Sequence, residues 1–176
     1  KQVEPYLDAL LQEADVLSRV LSASGRTVRT VYVGGGTPTT LTAPQLERLL
    51  TGLRQWLDLS HCTEFTVEAG RPDTITEEKL SVLRTHGVDR VSVNPQSLND
   101  AVLRAMGRAH TAQQARQAFQ LARQAGFPHI NTDLIAGLPQ DTPDGFHATL
   151  EEVLALSPEN ITVHTLALKR GSTLLG

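Results

Sequence analysis

Ile130-Asn131-Thr132-Asp133-Leu134-Ile135 is the stretch on which the fold turns. Apolar and polar side chains alternate there with a period of two, the spacing of a strand with two unlike faces. Asn131 and Asp133 share the polar face. The same pattern recurs on either side of it in the chain. Glu64 to Glu68 reads as a strand with Thr66 and Glu68 on one face, and Arg90 to Asn94 as one with Ser92 and Asn94 on one face. Ile161 to Leu166 pairs Thr162 with His164 in the same way, and Thr30 to Val33 is a further β-branched run that ends at Gly34, Gly35 and Gly36.

Helical patterns separate these strands. Tyr6, Leu7, Leu10, Leu11, Ala14, Leu17 and Leu21 recur at helical spacing between Pro5 and Gly25. Thr42 with Gln45 is a capping box ahead of Leu46, Leu49, Leu50, Leu53 and Leu57, and Thr111 with Gln114 repeats it ahead of Ala115, Ala118, Phe119 and Ala122. Thr76 opens a shorter helix that closes near Gly87, another short one covers Ala101 to Met106, and Thr142-Pro143 begins the last. Strand and helix alternating in this manner demand right-handed crossovers and a parallel sheet.

That order fits an open doubly wound sheet or a partial barrel. Strands buried on both faces read as continuous Val, Ile and Leu, and these do not. A face bearing Thr66, Glu68, Ser92, Asn94, Asn131, Asp133, Thr162 and His164 suits a polar ligand better than a packed interior. The alternative is a network of mutually bonded core side chains. Glu68 and Asp133 favour the ligand, because carboxylates are seldom buried without a use, and both are expected near strand ends where βα proteins bind.

The 176 residues are 40% hydrophobic and 20% charged, as in globular proteins, with no low-complexity linker, so one domain is read over 1–176. A net charge of -3 gives no basic field for nucleic acid. No apolar run approaches the length of a membrane span, and Lys1 to Leu11 has no signal core, so a cytoplasmic location is expected. The single cysteine, Cys62, makes no internal disulfide, and the six histidines lack the short spacing of metal ligands, so no metal site is expected within the chain.

The motifs are linked in order. Val31-Tyr32-Val33-Gly34-Gly35-Gly36-Thr37-Pro38-Thr39 lets a backbone approach a ligand closely. Thr66-Val67-Glu68-Ala69-Gly70-Arg71-Pro72, Arg90-Val91-Ser92-Val93-Asn94-Pro95-Gln96-Ser97 and Met106-Gly107-Arg108-Ala109-His110-Thr111 follow it. Asn131-Thr132-Asp133-Leu134-Ile135-Ala136-Gly137-Leu138-Pro139 and His164-Thr165-Leu166-Ala167-Leu168-Lys169-Arg170 complete the series. Together they resemble the oxygen-independent coproporphyrinogen III oxidase family of radical S-adenosylmethionine (SAM) enzymes, most of all its coproporphyrinogen dehydrogenase branch.

The resemblance implies a partial (β/α)6 radical SAM barrel with about five parallel strands. It further implies that the barrel's first strand and the three-cysteine loop for a [4Fe-4S] cluster lie upstream of these residues. It places SAM on Gly35, Gly36, Thr37, Glu68, Gln96, Arg108, Asp133 and Ala167. Carboxylates there suit ribose hydroxyls or the ammonium group, and Arg108 suits the methionine carboxylate. The implied reaction is oxidative decarboxylation of coproporphyrinogen III to protoporphyrinogen IX in haem biosynthesis, with an electron donor as partner. Residues 1–176 are expected to be inactive alone and to self-associate through the open barrel edge, and no catalytic acid or base is identified. Arg71, Lys169 and Arg170 are candidates for substrate carboxylates. A haem chaperone of the same family and a non-catalytic βα scaffold are the alternatives.

Overall fold

The computed structural model describes residues 2–167. Its strands β1 (Thr30–Val33), β2 (Glu64–Glu68), β3 (Arg90–Ser92), β4 (His129–Ala136) and β5 (Asn160–Thr165) form one parallel sheet in sequential order. Helices α1 (Val3–Ala23), α2 (Ala43–Trp56), α3 (Glu77–Thr85), α4 (Asp100–Ala105), α5 (Ala112–Gln124) and α6 (Pro143–Ala155) link them. Two 3-10 turns, Pro38–Thr40 and Pro72–Thr74, follow β1 and β2. An order without reversal is the wall of a barrel; a doubly wound sheet would change direction at its centre.

The expected helix starts form as read. Thr42 and Thr111 each close a capping box with the glutamine three residues on, and each box satisfies two otherwise orphaned amides. Such a cap is worth about 1 kcal/mol. Gly25, Gly87 and Gly126 take positive φ just beyond α1, α3 and α5, where a left-handed residue ends the helix.

Periodicity decides which face the helices cover. Val67, Val91 and Ile130 point to one side, where they pack with Leu46 and Leu50 of α2, Leu80 and Leu83 of α3, and Phe119 of α5, while Leu134 packs in a second cluster with Ala115 of α5 and Val153 of α6. Each such side chain, once buried, contributes roughly 1.5–3 kcal/mol. The other side carries the alternating polar residues and, among the described residues, no helix. It is the lumen of the partial barrel.

Two departures from the expected boundaries bear on the site. β3 stops at Ser92, short of Asn94. The ladder continues with Val93 N–H donating to Asn131 O at 2.8 Å, but Pro95 has no N–H to give. Gln96 supplies the next one, to Asp133 O at 3.1 Å, and this extra residue is accommodated with φ at 68°. Asp133, expected near a strand end, lies inside β4. Ile135 N–H finds Gln96 O at 3.0 Å and β5 pairs as far as Ala136 with Thr165, so the strand runs on past it.

Candidate functional site

The strand register sorts the lumen into levels. Tyr32, Thr66 and Arg90 stand side by side; Glu68, Ser92, Asn131 and Asn160 form the next level; Asp133 and Thr162 lie beyond it, and Ile135 and His164 beyond them. The level nearest the strand starts is bonded within itself, apart from Arg90 Nε, which is buried without a partner. Arg90 Nη1 donates to Asn131 Oδ1 at 2.9 Å and Nη2 approaches Glu64 Oε2 at 3.5 Å, while Thr66 Oγ1 donates to Glu64 Oε1 at 3.1 Å. That part of the polar face is a bonded network, as the structural alternative had it.

Nearer the strand ends the network is open. Ser92 Oγ and Asn94 Oδ1 are buried without a hydrogen-bond partner. Asp133 and His164 approach only to 4.0 Å. Burial raises the Asp133 carboxyl above its ordinary 3.8, against the opposing pull of His164 and with a smaller push from Glu68. A buried polar atom without a partner is costly, and two in one face beside two carboxylates mark a space for a ligand that donates hydrogen bonds.

The glycine loop joins this upper layer. Glu68, the last residue of β2, accepts from Gly35 N–H at 3.2 Å and from the Tyr32 hydroxyl. Gly35 has φ +111, which only glycine adopts readily. A Cβ on Gly36 would meet nothing within 4 Å, so packing does not require that glycine, and the backbone there lies open to a ligand. Thr37 is extended, with φ at -146°, and its carbonyl rather than its hydroxyl starts the following turn by accepting from Thr40 N–H at 2.9 Å.

The other candidates are spread around the rim. Gln96 sits at the bulge, its left-handed backbone being the kind of local strain that collects at functional sites. Arg108 follows α4, half-buried, and makes no ion pair among the described residues. His110 beside it is buried, with Nε2 3.1 Å from Pro95 O; burial holds its imidazole below the ordinary 6.5. Ala167 lies exposed just beyond β5. Arg71 is paired with Asp73 at 2.5 Å, and Lys169 and Arg170 lie outside the described residues.

Two participants were not singled out from the sequence. Tyr32 alternates with Val31 and Val33, which puts it opposite the valines and on the lumen side; that spacing was the available signal. Lys79, on α3, donates to the carbonyls of Thr39 at 2.6 Å and Thr74 at 3.0 Å, tying together the turns after β1 and β2. No local pattern announces it, since the contacts span 40 residues and 5 residues of chain.

Fold and site together define a partial βα barrel whose polar lumen opens at the strand ends beside a glycine loop. The model of the Radical SAM superfamily matches residues 4–153, and the chain belongs to that family. It is 44% identical over 172 residues to the oxygen-independent coproporphyrinogen-III oxidase-like protein HemZ of Bacillus subtilis, covering 97% of this chain and 34% of that protein. It is 36% identical over 167 residues to the heme chaperone HemW of Lactococcus lactis, covering 95% of this chain and 42% of that protein. The structure of coproporphyrinogen III oxidase (HemN) from Escherichia coli, a radical SAM enzyme, superposes with a TM-score of 0.85 at 35% identity, over 94% of this chain and 38% of that one. The chain therefore spans well under half the length of these relatives.

Within that family a [4Fe-4S] cluster is the resident metal group. The residues here do not fit it: Cys62 is the single cysteine, its Sγ donates to Glu64 O at 3.3 Å, and no group of metal-binding side chains gathers among the described residues. The chemistry of the donor set is compatible with SAM, because the unpartnered Ser92 and Asn94 atoms offer acceptors and nothing packs against the Gly36 position. Among the described residues no helix is long and apolar enough to cross a membrane.

Proposed function

We propose that this barrel, as one domain spanning 1–176, binds SAM in the intact protein. There it serves radical oxidative decarboxylation of coproporphyrinogen III to protoporphyrinogen IX in the cytoplasm. The observation that carries the SAM reading is the pair of buried, unpartnered acceptors on Ser92 and Asn94, set between Glu68 and Asp133 where the lumen opens at the strand ends. The porphyrinogen substrate is supported by the likeness to HemZ and HemN, and the cluster and its electron donor by the family.

In this reading the chain's own residues bind and orient. Gly35, Gly36 and Thr37 carry the methionyl end, with Arg108 on its carboxylate. Glu68 and Asp133 accept from hydroxyl or ammonium donors, Gln96 closes one side, and Ala167 leaves room for the adenine ring. SAM, when bound and reduced, supplies hydrogen-atom abstraction. The barrel holds the reacting carbon near the substrate and keeps water out.

The test is calorimetric titration of SAM into the cluster-bearing protein and its Glu68→Gln, Asp133→Asn and Arg108→Gln variants. Each lost hydrogen bond to a charged group costs about 1.5–3 kcal/mol, or roughly one to two orders of magnitude in affinity. Unchanged affinity in all variants would overturn the site. The likeness to HemW favours a second reading, haem delivery. Haem titration against SAM-dependent turnover of coproporphyrinogen separates the two.

A further inference from the structure

Tyr32 does more at the lumen than fill space. Its hydroxyl donates to Glu68 Oε1 while Gly35 N–H donates to Oε2 at 3.2 Å, so both oxygens of one carboxylate are held from the β1 side. Each oxygen keeps a further acceptor direction for a ligand. The ring reaches Glu68 by crossing Gly34: a Cβ there would collide with the Tyr32 ring and lie 3.1 Å from Glu68 Oε1. The first glycine of the loop is thus demanded by the tyrosine, the second by its φ of +111, and the third by neither.

Glutamate has several rotatable bonds, and a ligand that must freeze them binds more weakly. We infer that Tyr32 is a positioning residue for ligand binding, fixing the Glu68 carboxylate before SAM arrives. The inference rests on the SAM reading of Glu68 given above. The phenol remains a donor throughout the physiological range, because burial and then the Glu68 contact push it up to about 12.

A double-mutant cycle in the cluster-bearing protein tests this, with SAM as the titrant. Tyr32→Phe should weaken SAM binding roughly tenfold in the parent and leave it unchanged in the Glu68→Gln background. An equal loss in both backgrounds overturns the inference, since Tyr32 would then act independently of Glu68. No loss from Tyr32→Phe while Glu68→Gln still weakens binding overturns it too, with the SAM site intact. If neither variant changes affinity, the reading of Glu68 fails along with it.

A ligand-free arm covers the case in which Tyr32→Phe does not fold. In a Tyr6→Phe chain, which leaves Tyr32 as the one tyrosine, alkaline absorbance titration should show the phenolate appearing near 12. Adding Glu68→Gln should return it toward the ordinary 10.0. A midpoint that Glu68→Gln does not move means there is no clamp.

Discussion

The ammonium of Lys79 lies 2.6 Å from the carbonyl oxygen of Thr39, and this one contact fastens α3 to the turn that follows the glycine loop. The same nitrogen donates to Thr74 O at 3.0 Å, and the Thr39 and Thr74 hydroxyls meet at 2.6 Å. Two adjacent loops of the lumen rim are thereby held as a unit.

Lys79→Met should loosen that unit. Leaving two carbonyls without their charged donor costs about 1–3 kcal/mol. Hydrogen exchange resolved by residue should quicken at Gly35 to Leu41, with Lys79→Arg recovering part of the protection. Exchange confined to α3 would show that the strap is local to its own helix.

Asp133 should make stability depend on pH in the reverse of the usual carboxylate sense. Its folded value is raised above 3.8, by burial first, so the native state holds its proton more tightly than the unfolded chain. Stability from this group is fully present below 3.8 and is lost as pH rises through the folded value. Asp133→Asn should therefore be at least as stable as the parent near neutral pH, with a flatter stability curve across the acid range. Denaturant unfolding at several pH values reads this out. A clear loss of stability at neutral pH would instead make the His164 approach a structural ion pair.

Ser92→Ala should be neutral or stabilising by up to about 1 kcal/mol, because it removes a buried hydroxyl that lacks a partner. SAM affinity of the cluster-bearing protein should fall at the same time. A lowered melting temperature with unchanged affinity would identify a packing role.

Residues 1–176, incubated anaerobically with iron and sulfide, should not retain a [4Fe-4S] cluster. One partly buried cysteine cannot replace three thiolate ligands. Iron and sulfide analysis after desalting, with the visible absorption spectrum, is the measurement; four irons per chain would refute the expectation.

β1 and β5 are the sheet's two edges, and Tyr32 and Val163 on them are 63% and 48% exposed. Exposed edges pair, so residues 1–176 should associate at high concentration. Light scattering over a wide dilution series should show mass rising with concentration, and a constant monomer mass throughout would contradict this.

Much of this protein was legible in local order. Period-two and period-3.6 patterns located the strands and helices, and Thr42 with Gln45 and Thr111 with Gln114 marked helix starts, because these signals act within a few residues of chain. The polar face was legible too, since alternation alone puts Glu68 with Thr66 and Asp133 with Asn131. Local order did not show how that face divides. Arg90, Glu64, Asn131 and Thr66 bond to one another across three strands, whereas Ser92 Oγ and Asn94 Oδ1 find no partner, and only the register between strands decides which polar residue meets which. The bulge at Gln96 belongs to the same class. Pro95 announces a missing donor, but that Asp133 O would take the next amide depended on β4 lying alongside. Tyr32 on Glu68 and Lys79 on Thr39 join residues 36 and 40 positions apart, so their geometry exists only once the sheet has formed.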